Sequence, residues 1–366
     1  MQGFRTFVVM RFSLAISILL LFSVATAQKG EIWLDGKFKT GFLAAHRTTM
    51  SHLLEQHAFA GEFSYYIQTK GEAHWNAIHR YPSYGITAFF GSVGNRDVLG
   101  SYLGVYAFAQ FPIIRQKWHR FSFKTGSGVG YGTKVYDAET NPLNVAISTH
   151  LNAQVVLGLE SRFTFGNHSA ALGLDITHFS NGATKVPNLG LNLPYVSLGY
   201  AYKMREAVDC DSHPPSNSEA GNSREYGAVA FGTVKETFPV NGKKYGVFGL
   251  SLTGRHYFRA KRGVEVTFDV LSNQANMVFH PDVAKTQGEL IQMGVFSGYL
   301  VPMGRLHLIV GMGVYVWDKF SPDDRFYHRV GTRYVFDNGL NLGVTLKSHW
   351  ARADYIEYGI GYMFKR

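Results

Sequence analysis

Between Phe121 and Thr133 the residues alternate one by one. Ser122, Lys124, Gly126, Gly128, Gly130 and Gly132 hold the even positions, and Phe121, Phe123, Val129 and Tyr131 are among the odd ones. Only an extended strand puts every second side chain on one face, so this period excludes a helix and splits the stretch into an apolar face and a small or polar face. The pattern returns from Asn192 to Met204, where Val196, Leu198, Tyr200, Tyr202 and Met204 oppose Ser197, Gly199, Ala201 and Lys203. From Glu31 onward eight such segments precede residue 205, near 32–45, 57–68, 83–93, 98–113, 119–134, 146–165, 168–180 and 192–204. Each has about the 9–11 residues that a tilted membrane-crossing strand needs, or more.

Two environments produce such strands. A soluble sandwich buries the apolar face and wets the other; a transmembrane barrel turns the apolar face to lipid and keeps small and polar groups inside. The chain opens with Arg5 and Arg11, an apolar run from Phe12 to Val24, and Ala25-Thr26-Ala27, the make-up of a cleavable export signal over residues 1–27. Residues are 15% aromatic and only 17% charged, and 40 are Gly, a balance that suits many short strands. Export, aromatic density and the long series of similar strands favour the barrel. On that reading the glycines of 126–132 fill a narrow barrel interior rather than a phosphate-binding loop. The lone Cys210 excludes a disulfide framework. The net charge of +10 suits anionic headgroups or polyanions, while no Lys/Arg run with interleaved aromatics points to nucleic acid.

Residues 205–225, rich in Pro, Ser, Asn and charge, read as a polar linker between a first repeat (28–204) and a second (226–366). The second half repeats the first in order. Gly104–Pro112 aligns with Gly294–Pro302, Tyr84–Asn95 with Arg262–Asn273, Gly128-Val129-Gly130 with Gly311-Met312-Gly313, and Leu198-Gly199-Tyr200 with Ile360-Gly361-Tyr362. The expected fold is therefore all-β: two tandem eight-stranded antiparallel transmembrane barrels, or else a single sixteen-stranded one.

The chemistry concentrates between Leu172 and Met204. Leu172, Leu174, Ile176, His178 and Ser180 share one strand face, so a histidine and a serine extend an apolar row with Cβ atoms about 7 Å apart. A histidine at that spacing can reach the serine proton, as acyl transfer requires. Alone, H-x-S is a weak signal; here an Asn181-Gly182 loop follows that can present N–H groups to an oxyanion. Asn192 has the parity of Val196 and Leu198 and therefore faces the same side, where it can orient His178. The repeat sets Ser348 and Trp350 where the first half has His178 and Ser180, so the second copy lacks the pair. His46, His52, His57, His74 and His79 cluster around the first two loops; without an H-E-x-x-H or Cys/His pattern they read as solvated loop residues rather than a metal site.

His178-Phe179-Ser180-Asn181-Gly182, Pro187-Asn188-Leu189-Gly190 and Leu198-Gly199-Tyr200-Ala201-Tyr202 together resemble the signature of the outer-membrane lipid A 3-O-deacylase family, over residues 32–204. The resemblance implies an eight-stranded barrel with a lipid-facing His/Ser/acid triad at its extracellular end that removes a 3-hydroxyacyl chain from lipid A. It implies Ser180 as nucleophile and His178 as base, with Asn181, Gly182, Asn188 and Gly190 as oxyanion and loop residues. It implies no cofactor, lipopolysaccharide of the outer leaflet as substrate and the Gram-negative outer membrane as location. The sequence departs from the family in two ways: Asn192 stands where an acid is expected, and the barrel is duplicated. The rival readings are a non-catalytic structural, channel or surface-binding barrel, and a phospholipase or acyltransferase with the same dyad.

Overall fold

A computed structural model describes residues 30–71, 73–208, 223–283, 286–320, 325–350 and 352–365. The leader expected at 1–27 lies outside them, as do residues 209–222 of the expected linker. The chain divides into two compact units, each a closed barrel of eight antiparallel strands in simple meander order.

The first barrel runs β1 (Glu31–Gly41), β2 (Ala58–Gln68), β3 (Ser83–Ser92), β4 (Ser101–Arg115), β5 (His119–Gly132), β6 (Leu151–Phe165), β7 (His168–Ser180) and β8 (Leu191–Arg205). It closes where β1 pairs with β8, from Ile32 against Arg205 to Gly41 against Tyr195. The second runs β9 (Ser223–Glu236), β10 (Lys244–Arg259), β11 (Arg262–Asn273), β12 (Ile291–Met303), β13 (Leu306–Trp317), β14 (Phe326–Val335), β15 (Leu340–His349) and β16 (Arg352–Lys365), and closes β16 on β9. The single sixteen-stranded alternative is thereby ruled out. The duplication holds strand for strand: the aligned segments fall on β3 and β11, β4 and β12, β5 and β13, β7 and β15, and β8 and β16.

Alternation settles which way each strand faces. Phe38, Phe63, Phe90, Leu103, Leu172, Leu174, Ile176 and Leu198 all stand exposed on the outer wall, an apolar belt that belongs in lipid rather than water. Trp118, Phe165 and Tyr202, also exposed, lie at the end with the short turns, where aromatic rings sit at headgroup level. The inner positions carry charge instead. Lys39 bridges Glu62 at 2.9 Å and Asp175 at 2.8 Å, Arg162 bridges Asp35 at 2.5 Å and Glu160 at 2.9 Å, and Lys37 pairs with Glu160. An eight-stranded barrel is just wide enough for such side chains to fill. The second barrel repeats the device, with Arg329 between Asp269 and Glu357 and Arg255 on Glu265.

These pairs are buried, and stripping one partner leaves a charge without compensation. Lys39→Ala takes from Asp175 its bridging cation and leaves Glu62 with only the longer bridge to Lys124 at 3.6 Å, at a cost of about 3–5 kcal/mol. A clear fall in the thermal unfolding midpoint of the full chain in detergent micelles, followed by circular dichroism, is the expected result.

The connections differ in length between the two ends of the first barrel. Residues 116–118 and 166–167 make tight turns at one end, with 69–82 as the longer exception. At the other end run the loops 42–57, 93–100, 133–150 and 181–190. Short turns on the periplasmic side and long loops outside are the rule for such barrels. The sequence reading carried the first and sixth strands too far, to residue 45 and back to residue 146. Residues 42–45 and 146–150 are loop, and their apolar members continue the strand pattern for another reason. Leu43, Ala146 and Ile147 join Met50, Leu53, Val93 and Leu99 in a buried cluster among the long loops. Hydrogen bonds knit this cap: Gln56 N–H to Gly94 O at 2.8 Å, Asn141 Nδ2 to Val98 O at 2.9 Å, and His52 Nε2 to Leu143 O at 2.8 Å.

Candidate active site

β7 delivers its last residues to the long-loop end, and its two faces do different work there. Phe179 points inward and is fully buried. Its ring lies 4.7 Å from Tyr102 and 5.7 Å from Phe89, centroid to centroid. It fits because Gly130 of β5 has no side chain: a Cβ there would stand 2.4 Å from Phe179 Cε1. The alternating glycines read from sequence as barrel filling thus make room for the anchor between His178 and Ser180.

His178 and Ser180 therefore share the outward side of β7 with the exposed Leu172, Leu174 and Ile176, but there His178 is half-buried and Ser180 is only 5% exposed. Across the ladder His178 is paired directly with Asn192 of β8. The imidazole Nδ1–H donates to Asn192 Oδ1 at 2.7 Å, which leaves Nε2 as the ring's acceptor nitrogen. Of the residues expected to act together, His178 and Asn192 are thus in contact. Among the described residues no hydrogen bond joins Ser180 Oγ to His178, as is common where catalytic contacts tighten only around substrate.

The loop after Ser180 positions the remaining candidates. Asn181 N–H donates to Asn188 Oδ1 at 3.0 Å, and Asn181 Nδ2 donates to Ser148 Oγ at 3.1 Å. Because a backbone N–H can only donate, it fixes Asn188 with its carbonyl end inward and its NH₂ as the end open to an oxyanion. Gly182 and Ala183 follow with φ of +62° and +59°, two consecutive left-handed residues that turn the chain sharply. Two backbone N–H groups of this loop are already engaged within the protein. Asn181 N–H is spent on Asn188, and Gly190 N–H donates to Ala146 O at 3.0 Å. Gly190 contributes space instead: its φ is +77°, and a Cβ there would lie 2.9 Å from His178 Cε1 and 3.5 Å from Ser180 Cβ.

The sequence reading missed two partners. Ser148 braces Asn181 from the 133–150 loop. His46, read as a solvated loop histidine, accepts from Asn192 Nδ2 at its Nδ1 across 3.1 Å. Its separation from Asn192 along the chain hid the contact.

At the corresponding place of the second barrel, Ser348 of β15 is paired with His328 of β14. Trp350, at φ +46°, sets its ring edge-on to His328 with centroids 5.5 Å apart. No His–Asn cross-strand pair recurs among the described residues there.

Residues 59–201 match the family model of lipid A 3-O-deacylase, and residues 224–366 match that of the acyloxyacyl hydrolase C-terminal domain. No curated protein matches the chain. Among solved structures, the β domain of the Bordetella autotransporter BrkA aligns over 92% of this chain and 98% of its own, at 8% identity and a TM-score of 0.26. A porin mutant from Rh. blastica aligns over 91% and 99%, at 10% identity and a TM-score of 0.20. The siderophore receptor PirA from Pseudomonas aeruginosa aligns over 93% and 81%, at 9% identity and a TM-score of 0.21. All three superpose loosely.

Proposed function

The chain belongs to the lipid A 3-O-deacylase family, and from that premise we propose that its first barrel is an outer-membrane serine esterase that removes an ester-linked 3-hydroxyacyl chain from lipid A. Ser180 is the nucleophile, His178 the general base and Asn192 the group that orients the base. The observation that carries this reading is the face on which they lie. His178 and Asn192 meet on the outer wall, in line with Leu172, Leu174, Ile176, Val196 and Leu198, at the end bearing the long loops. A soluble substrate would never meet that surface, whereas a lipid of the outer leaflet lies against it.

In this mechanism His178 Nε2 takes the Ser180 proton as Oγ attacks the ester carbonyl carbon. The Asn188 NH₂ receives the oxyanion. Collapse breaks the bond to the sugar oxygen, which leaves with the proton held by His178, and the chain remains on Ser180 as an ester. Water, deprotonated by the same Nε2, then releases the 3-hydroxy fatty acid and restores Oγ–H. Asn192 holds the tautomer but supplies no negative charge to the imidazolium, so turnover is slower than an acid in that place would allow. The basic balance of the chain suits the phosphates of lipid A.

The purified full chain in micelles, incubated with lipopolysaccharide, is expected to release 3-hydroxy fatty acid and leave glycerophospholipid intact, as read by mass spectrometry of the free acids. Release of unsubstituted fatty acid from phospholipid instead would identify a phospholipase, and no release would favour a non-catalytic barrel.

A further inference from the structure

We propose that His46 is a positioning residue for this reaction, the outer link of a chain His46–Asn192–His178 that selects the base's tautomer. The inference rests on the reading of Ser180 and His178 given above and adds to it a residue outside the family-matched stretch.

The need for such a residue follows from the amide. Both ends of a carboxylate accept, so an acid beside His178 admits only an Nδ1–H ring. An amide has an accepting and a donating end of nearly equal shape. With Oδ1 toward His178 the ring proton sits on Nδ1 and Nε2 is basic. With NH₂ toward His178 the proton sits on Nε2, which then cannot take one from Ser180. A second group must therefore hold Asn192 the right way round, and it must be an acceptor.

His46 Nδ1 is placed to do this, 3.1 Å from Asn192 Nδ2. The backbone builds the contact: beyond the last paired residues of β1 and β8, Phe42 N–H donates to Pro194 O at 3.4 Å and Ala44 N–H donates to Asn192 O at 2.8 Å. Leu43 between them is buried in the loop cluster. The ladder that closes the barrel is thus extended just far enough to lay His46 beside Asn192. His46 is itself exposed, so water can take its Nε2–H while Nδ1 accepts.

The test exploits donor and acceptor character. The Oδ1 of an aspartate occupies nearly the place of a histidine Nδ1 and only accepts, whereas a lysine only donates. In the full chain acting on lipopolysaccharide, His46→Asp is expected to keep wild-type kcat. His46→Ala is expected to lose about 3–10-fold, the range one neutral hydrogen bond is worth, and His46→Lys to lose more, with KM little changed. With Asn192→Asp as background, where both oxygens accept, the penalty of His46→Lys is expected to vanish. A fall common to all three substitutions, or the same fall in both backgrounds, would mean that His46 merely supports the loop and would overturn the proposal. Ser180→Ala, run alongside, tests the esterase reading separately. ¹⁵N shifts of the His178 ring in micelles need no turnover: they should report Nδ1–H in the wild type and Nε2–H in His46→Lys, and an unchanged tautomer would also overturn the relay.

Discussion

Ser180→Ala is expected to lower kcat for deacylation by at least about 10²-fold while leaving the barrel as stable as before. The size follows from two opposing magnitudes. A nucleophilic serine within a complete triad accounts for about 10⁶-fold in kcat. Exchange of the triad's acid for an amide forfeits up to about 10⁴ of it. With Asn192 already in that place, what remains for Ser180 is the difference. Stability should not follow activity down, because Ser180 Oγ has no hydrogen-bond partner among the described residues and its loss orphans nothing. The measurement is kcat on purified lipopolysaccharide beside a thermal melt of the same preparation; equal activity in the two proteins would remove Ser180 from the mechanism.

The second large effect is expected at Gly190, which touches no substrate in the mechanism. A methyl group there would sit 2.9 Å from His178 Cε1 and 3.2 Å from the Phe179 carbonyl oxygen, on a backbone with φ of +77°. Gly190 N–H is tied to Ala146 O, so the loop cannot swing away without losing that bond. The imidazole must give way instead, and a displacement of about 1 Å costs about 10²-fold in rate. Gly190→Ala should therefore lower kcat about 100-fold with a small effect on KM. Gly166→Ala is the matched control. It sits at φ +60° in the tight turn at the far end, with nothing within 4 Å of its would-be Cβ. It carries the same backbone strain of about 1–2 kcal/mol without the clash, and its kcat should equal the wild type's. Equal losses at the two glycines would show that strain, not crowding of His178, is responsible.

Much of the wall was legible because it is written in a local code. Alternation fixed which residues of β5, β7 and β8 face out, and the duplicated segments fixed the order of strands in the second barrel. What closes on what is not local. Whether β1 pairs with β8 or with β16 depends on hydrogen bonds between chain ends, and no residue of β1 declares its partner. The same limit applies at the site. Parity put His178 and Asn192 on one face, but only the register made them direct neighbours. His46 was invisible because its contact spans the barrel seam, 146 residues along the chain. Ala146 and Ile147 misled for a physical reason as well: a buried loop cluster needs the same apolar residues as a lipid-facing strand, so the sixth strand seemed to start early. Gly190 was named only as one of the oxyanion and loop residues, and the space that its missing side chain leaves beside His178 is a matter of loop geometry that no sequence pattern carries.

Removal of a hydroxyacyl chain from lipid A by means of Ser180 would leave a signature in the mass of lipid A itself. Mass spectra of lipid A from Gram-negative cells expressing the wild type or Ser180→Ala at equal levels in the outer membrane test it most directly. A lipid A species lighter by one 3-hydroxyacyl chain is expected with the wild type and none with the variant. The same lighter species in both, or in neither, would contradict it.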